Sequence, residues 1–430
     1  MNLHILQKKK VKKFFEFIKK DTTKKVLYTL AMLFIFRLGN NITVSSVDST
    51  FIEAIGGFEI LSLLTGADFT SFSIFALGLS PFITGSIVYE LLSNDVIPVF
   101  SRWKKENDTN KKVITSNSIG LAIGIIQALS ITAMFDNQYG ILRAGNIYSY
   151  IYTTGVLVAG SCFLLWITKM IDIKGIGNGS SLIIAAGILY NLPDIILDAF
   201  DVTVTYSNWT TFIMFGLLML LYLAIIGYVV FIEKSERHIP IVFSNYSTYV
   251  SGKKKDYLPM KVNVSGVIPV IFASSVLSVP SIICNIGGWN PEWINRFSLN
   301  NIFGITIYGL LIIFFTFYYS HTLIVPKDIN RNFQKSGCSI VSVRLGKDTI
   351  SYLNRNLNRI CVFGSVSLLI IALVPVVTPL VWDVAAQTNL TIGGTSLIIV
   401  SSTMITIYQK LKSESTRAKY VKQTSIWKDR

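Results

Sequence analysis

The sequence predicts an all-α integral membrane protein of ten transmembrane helices, arranged as two five-helix halves of opposite orientation. Three observations predict it. First, 51% of the 430 residues are apolar and only 15% are charged, with a mean hydropathy of +0.53. A soluble chain carries about 25% charged residues. Second, ten continuous apolar segments stand at roughly 25–44, 69–92, 114–134, 148–171, 180–200, 209–232, 264–284, 302–325, 358–378 and 392–409. Each approaches the ~20 residues that a bilayer-crossing helix needs. A β-barrel would instead show short segments of alternating polarity. Third, 36 of the 39 Lys and Arg residues fall in every second gap between these segments, two fall in the other gaps, and Arg37 lies in the first segment. Basic loops are retained in the cytosol, so both termini are expected there.

The elements follow in order. Residues 1–24 form a basic cytosolic tail, with Lys8, Lys9, Lys10, Lys12 and Lys13 among its charges. No small-residue cleavage pattern follows, so the first span reads as a retained helix. The N-terminal half runs over 25–204 and the C-terminal half over 205–410. The second half carries cytosolic loops 233–262 and 326–357, and a basic tail covers 411–430. Five spans in the first half make the second enter the membrane inverted. A short echo supports this: Gly78-Leu79-Ser80-Pro81-Phe82-Ile83 and Gly266-Val267-Ile268-Pro269-Val270-Ile271 both read G-x-x-P-x-I.

The net charge of +15 fits this topology, together with attraction to anionic lipids and acidic cytosolic partners. Cys162, Cys284, Cys338 and Cys361 are far apart, and His4, His238 and His321 form no cluster. No metal site, disulfide framework or cofactor is implied. Gly175-Ile176-Gly177-Asn178-Gly179-Ser180 follows a membrane helix rather than a strand, and its spacing is not that of a dinucleotide turn. Gly346-Lys347 lacks the upstream glycine of a phosphate loop. Nothing suggests an enzyme. The spans also lack the chain of Asp, Glu or His that a proton-coupled transporter uses as a relay.

Segment 56–66 is apolar, too short to span, and bracketed by Gly56-Gly57 and Gly66. It is either a surface-lying helix or a re-entrant plug, since backbone at membrane depth must be buried in protein or line a cavity. Three further segments mark the cytosolic loops: Phe231 to Ile241, Leu258 to Asn263 and Val343 to Thr349. They are solvated topology charge or a docking platform.

These residues resemble the SecY family, the pore subunit of the bacterial protein-export channel. The resemblance rests on Phe75 through Ile83, Gly175 through Ser181, Glu233 through Ile241, Leu258 through Ser275, Arg344-Leu345-Gly346 and Gly393 through Leu397. It implies a clam-shell in the bacterial plasma membrane whose spans two and seven flank a lateral gate. A signal sequence would open that gate, and the channel would translocate secretory polypeptides and release membrane segments sideways. By the family's motifs the constriction ring falls on Ile83, Ile87, Ile184, Ile188, Ile271 and Ile399. The plug falls on 57–66, with Phe58, Ile60, Leu61, Leu63 and Leu64. The gate involves Pro81, Thr84, Gln127, Pro269, Ser274 and Ser275, although polar groups here could equally serve interhelical hydrogen bonding. Docking of the ATPase SecA or the ribosome falls on Arg237, Lys253, Lys254, Lys255, Arg344 and Lys347. The implied partners are SecE-like and SecG-like small subunits, SecA, the ribosome, signal sequences and unfolded preproteins. Ribosomal RNA is the one nucleic acid it could meet.

The chain departs from the family in places. Thr43-Val44-Ser45-Ser46 replaces the usual Pro-x-Pro-Gly, and Arg344-Leu345-Gly346 stands for Arg-Pro-Gly. An accessory channel with specialised substrates is therefore the alternative, with a small-solute transporter built on inverted repeats behind it.

Overall fold

The apolar runs fold as helices, because a backbone in hydrocarbon must satisfy its own hydrogen bonds. The computed structural model describes residues 21–47, 72–93, 98–105, 109–140, 142, 146–206, 209–243, 257–287, 296, 301–381, 396 and 398–413. The helices begin with α1 (Asp21–Asn40), α2 (Ser80–Ser93), α3 (Pro98–Lys105), α4 (Thr109–Tyr139), α5 (Ile147–Lys174), α6 (Gly179–Tyr206) and α7 (Trp209–Lys234). Strands β1 (Glu236–Phe243) and β2 (Tyr257–Lys261) lead to α8 (Ile268–Gly287) and α9 (Ile302–Leu323). Then come α10 (Pro326–Ser336), β3 (Cys338–Ile340) and α11 (Lys347–Val381). A last helical stretch, α12, covers 398–413.

Among the described residues five helices are long and apolar enough to cross a membrane: Asn110–Ala133, Ile147–Lys174, Phe215–Lys234, Ile302–Ser336 and Lys347–Val374. Gly179–Tyr190 and Ile268–Leu277 are shorter apolar helices. Outward faces carry large apolar side chains, such as Leu220 and Leu223 on α7, Leu310 and Phe314 on α9 and Phe363 on α11. In water such a surface would drive association; in a bilayer it meets its matching solvent. The protein is a helical membrane protein.

Two compact units are formed: Met1–Ile195 with Ser281–Asn290 and Thr403–Arg430, and Ile196–Pro280 with Pro291–Ser402. In the first, α5 buries Leu157, Gly160, Ser161, Leu164, Ile167, Thr168 and Ile171, a stripe at helical spacing. Leu164, Ile167 and Ile171 pack with Phe36 of α1, Phe75, Leu79 and the α6 residues Leu182 and Ile183. The second expected span is helical only from Ser80; residues 72–79 form buried turns before it. The left-handed Gly78 at φ 59° breaks the helix there.

In the second unit the sheet has order β2-β1-β3, all antiparallel. An all-α expectation misses this small sheet. β1 pairs Glu236 to Pro240 with β2, then Ile241 to Phe243 with β3. Each side of the strand is thus used along a different length. Ile239, Met260, Cys338 and Ile340 bury against Phe333 of α10 and Leu353, Leu357 and Ile360 of α11. The amphipathic α10 starts at Pro326 and stops at the left-handed Gly337, φ 64°.

Candidate functional site

Two helix starts shape the apolar faces. Gly78 has φ 59° and Gly266 has φ 62°, a region that costs other L-residues about 1–2 kcal/mol. Each lies two residues before its helix, α2 at Ser80 and α8 at Ile268. Pro81 and Pro269 take the second helical position, where a missing N–H costs nothing. The first backbone bonds also match. Phe82 and Ile83 donate N–H to the Leu79 carbonyl, both at 3.1 Å, and Val270 and Ile271 donate to Val267 at 3.1 and 3.3 Å. Ile83 and Ile271 therefore occupy the same position in equivalent first turns.

The structure places the other expected ring residues as follows. Ile87 on α2, Ile184 and Ile188 on α6 and Ile399 on α12 are buried, while Ile83 and Ile271 are half-buried. Ile83 packs against the cluster that holds Leu182 and Ile183 of α6, the two residues before Ile184. Ile271 belongs to the second unit.

Of the expected gate residues, Pro81 and Pro269 are buried, and Thr84, Gln127, Ser274 and Ser275 are half-buried. Thr84 Oγ1 donates to the Ser80 carbonyl at 3.0 Å and Ser274 Oγ to the Ile271 carbonyl at 2.9 Å. Both hydroxyls bond within their own helix. Gln127 stands seven residues after Gly120 and three after Gly124, on the α4 face that meets α2. The plug residues Phe58, Ile60, Leu61, Leu63 and Leu64 lie outside the described residues.

Arg237, Arg344 and Lys347 are exposed around the sheet. Lys253, Lys254 and Lys255 lie outside the described residues. The Arg344 loop is held from inside. Buried Asn330 accepts the Gly346 N–H at 3.2 Å, and the Thr349 hydroxyl donates to the Arg344 carbonyl at 2.8 Å. The loop backbone is held while the Arg344 side chain is exposed.

The Gly175 to Ser180 turn is a stitched corner. Thr29 Oγ1 accepts the Ile176 N–H at 3.0 Å, Asp172 accepts the Gly179 N–H at 2.8 Å, and Lys410 Nζ donates to the Gly177 carbonyl at 2.6 Å. Its polar groups are spent on joining α1, α5, α6 and α12. Among the described residues no cluster of His, Cys, Asp or Glu has the makings of a metal site.

Over residues 73–408 the sequence matches the pattern of the family described as SecY. The chain belongs to the SecY family. It is 39% identical over 432 residues to the protein translocase subunit SecY of Mycoplasma capricolum subsp. capricolum, covering 94% of this chain and 89% of that SecY. It is 34% identical over 421 residues to the SecY of Streptococcus sanguinis, covering 94% and 96% of the two chains. Among solved structures it superposes on one described as "The structure of a protein conducting channel", with TM-score 0.65 and 16% identity over 92% of this chain and 93% of that one. That likeness shows that the two chains share a fold.

Sequence reasoning placed Glu233, Asn263 and Thr349 in loop segments read as solvated charge or a docking platform and gave Asn330 no role; all four are buried. One signal was available. Asn263 stands three residues before the glycine of the second G-x-x-P motif, where an uncharged polar residue has no topological use.

Proposed function

We propose that this chain is the pore-forming subunit of a protein-conducting channel in the plasma membrane, with both termini in the cytosol. The observation that carries the reading is the paired helix start, which sets Ile83 and Ile271 at equivalent positions in a SecY-family chain. A ring of Ile83, Ile87, Ile184, Ile188, Ile271 and Ile399 is apolar on every side. Such a ring dewets and blocks ions when empty. It offers no hydrogen bonds to a passing chain, so sequence matters little to passage.

A signal sequence, itself an apolar helix, intercalates between α2 and α8 and shifts the channel toward its open state. The plug at 57–66 leaves, secretory segments cross, and membrane segments exit sideways between the two five-span halves. The channel makes and breaks no covalent bond. Energy comes from an ATPase of the SecA kind or from the ribosome, docked on Arg237, Lys253 to Lys255, Arg344 and Lys347. SecE-like and SecG-like small subunits complete the complex.

Reconstitution in vesicles tests this reading. With the companion subunits, ATPase and ATP, an unfolded preprotein is expected to become protease-protected. A cysteine at Ile83 or Ile271 should crosslink to a stalled preprotein, and one at the outward-facing Leu223 should not. Crosslinks at Leu223 alone would remove the pore from this position.

A further inference from the structure

Glu233 closes α7 and Asn263 follows β2. Both are buried, 6% and 5% exposed. Asn263 Nδ2 donates to Glu233 Oε1 at 2.8 Å. A carboxylate drawn out of water needs such a donor or a countercharge, and Lys261 adds a favourable charge.

The residue between is pinned as well. Val262 donates its N–H to the Ser235 carbonyl at 2.9 Å. From another side α11 comes so close that a Cβ at Gly364 would lie 2.8 Å from the Val262 carbonyl oxygen. The segment Lys261 to Asn263 is thus held by the end of α7 and by α11. It is also the root of the β1–β2 hairpin, where Glu236 pairs with Lys261.

Just beyond this fixed point stands Gly266, with φ 62° and nothing within 4 Å of where a Cβ would sit. α8 begins two residues later. Two polar atoms in the crossover from β2 to α8, Asn263 Oδ1 and Ser265 Oγ, are buried without a partner among the described residues. Buried groups in that condition favour any rearrangement that satisfies them. The crossover therefore joins a clamped end to a free joint.

We propose that Glu233 and Asn263 form a latch that fixes the foot of α8, and that α8 pivots at Gly266 beyond it. Movement of the β1–β2 hairpin reaches α8 through this pair. The consequence for transport rests on the channel reading above; the latch itself rests on the geometry alone. Glu233 is a positioning residue and touches no passing polypeptide.

The test exchanges the partners. Asn263→Asp sets two carboxylates face to face. Glu233→Gln combined with Asn263→Asp restores an amide–carboxylate pair with the donor on the other side. Asn263→Ser replaces the amide donor with a hydroxyl on a shorter side chain, adds no charge, and stands in if the aspartate variant fails to fold. All are studied in the full channel complex in lipid nanodiscs. Spin labels at Val276→Cys on α8 and Val366→Cys on α11, both exposed sites, report the distance between the two helices in a background free of other cysteines.

The parent distribution should be narrow. It should broaden in Asn263→Asp and Asn263→Ser and return to the parent width in the exchanged pair. Preprotein transport should fall about tenfold in the single variants, as loss of a hydrogen bond to a charged group implies, and recover in the exchanged pair. An unchanged width in both single variants overturns the latch, as does broadening that the exchange does not reverse. Broadening and recovery with transport unaffected keeps the latch and removes α8 from the transport path.

Discussion

Gly78 and Gly266 hold the same left-handed backbone, at φ 59° and 62°, each two residues ahead of a helix whose second residue is proline. One lies in each unit. The pairing reaches the hydrogen bonds of the first turn, where Ile83 and Ile271 each donate to a carbonyl four residues back. The six-residue echo seen in the sequence is therefore also an echo in conformation. The glycine turns the chain, the proline opens the helix, and the isoleucine two residues on takes the same place in the first turn.

Replacing Gly266 by alanine isolates the backbone cost of that turn. Nothing lies within 4 Å of the new methyl, so sterics with neighbours do not enter. The left-handed conformation should cost about 1–2 kcal/mol, read as a lower melting temperature of the purified protein. An unaltered melting curve would mean that α8 can start through another conformation.

A polar residue in the proposed isoleucine ring should let water in. Ile83→Asn and Ile271→Asn are each expected to raise the ion leak of vesicles holding the idle complex, on the order of tenfold, because an apolar constriction gates by dewetting. Leu223→Asn, on an outward face, supplies the control. Equal leak from all three variants would point to general loosening rather than a gate.

The membrane-spanning helices were legible because hydrocarbon leaves little choice: long apolar runs such as 147–174 and 302–323 can only be helices. The three-stranded sheet was not legible. β1 alternates weakly, carries Pro240, and owes its pairing to β2 and β3, which lie about twenty and one hundred residues further along. Such pairings leave little local pattern. The start of α2 was misjudged for a related reason. Phe75 to Leu79 are as apolar as any span, yet they are buried as turns, and only the φ of Gly78 distinguishes them. Ile83 was singled out by family resemblance; its burial is like that of many isoleucines here.

Arg344 should matter for function and little for folding. Its side chain is exposed while Asn330 and Thr349 hold the loop around it. Arg344→Glu is expected to cut ATPase-driven transport by about tenfold or more, the cost of replacing a charge-assisted contact with repulsion. Its melting temperature should stay near that of the parent. Thr349→Ala should do the reverse, lowering stability by about 1 kcal/mol through the lost hydrogen bond. Parallel loss of stability and transport in Arg344→Glu would show the arginine to be structural.

The seat of α2 against α4 gives the sharpest contrast, because two glycines four residues apart face it differently. A Cβ at Gly120 would lie 2.7 Å from Phe82 Cδ1 and 2.9 Å from Phe82 Cα. Rotation of the ring could clear the first contact, but the second is backbone, so the helices must part. A Cβ at Gly124 would meet Pro81 Cβ at 3.4 Å, an ordinary contact. Close approach through small residues is how helices gain van der Waals contact in a bilayer that offers no hydrophobic drive for their association. Gly120→Ala should therefore destabilise by about 1–3 kcal/mol, as overpacking does. Gly124→Ala should stay within about 0.5 kcal/mol of the parent. Because α2 carries Ile83 and Ile87, the first change should also raise the idle leak while the second leaves it alone. Equal melting temperatures for the two variants would show that α2 is not seated on Gly120.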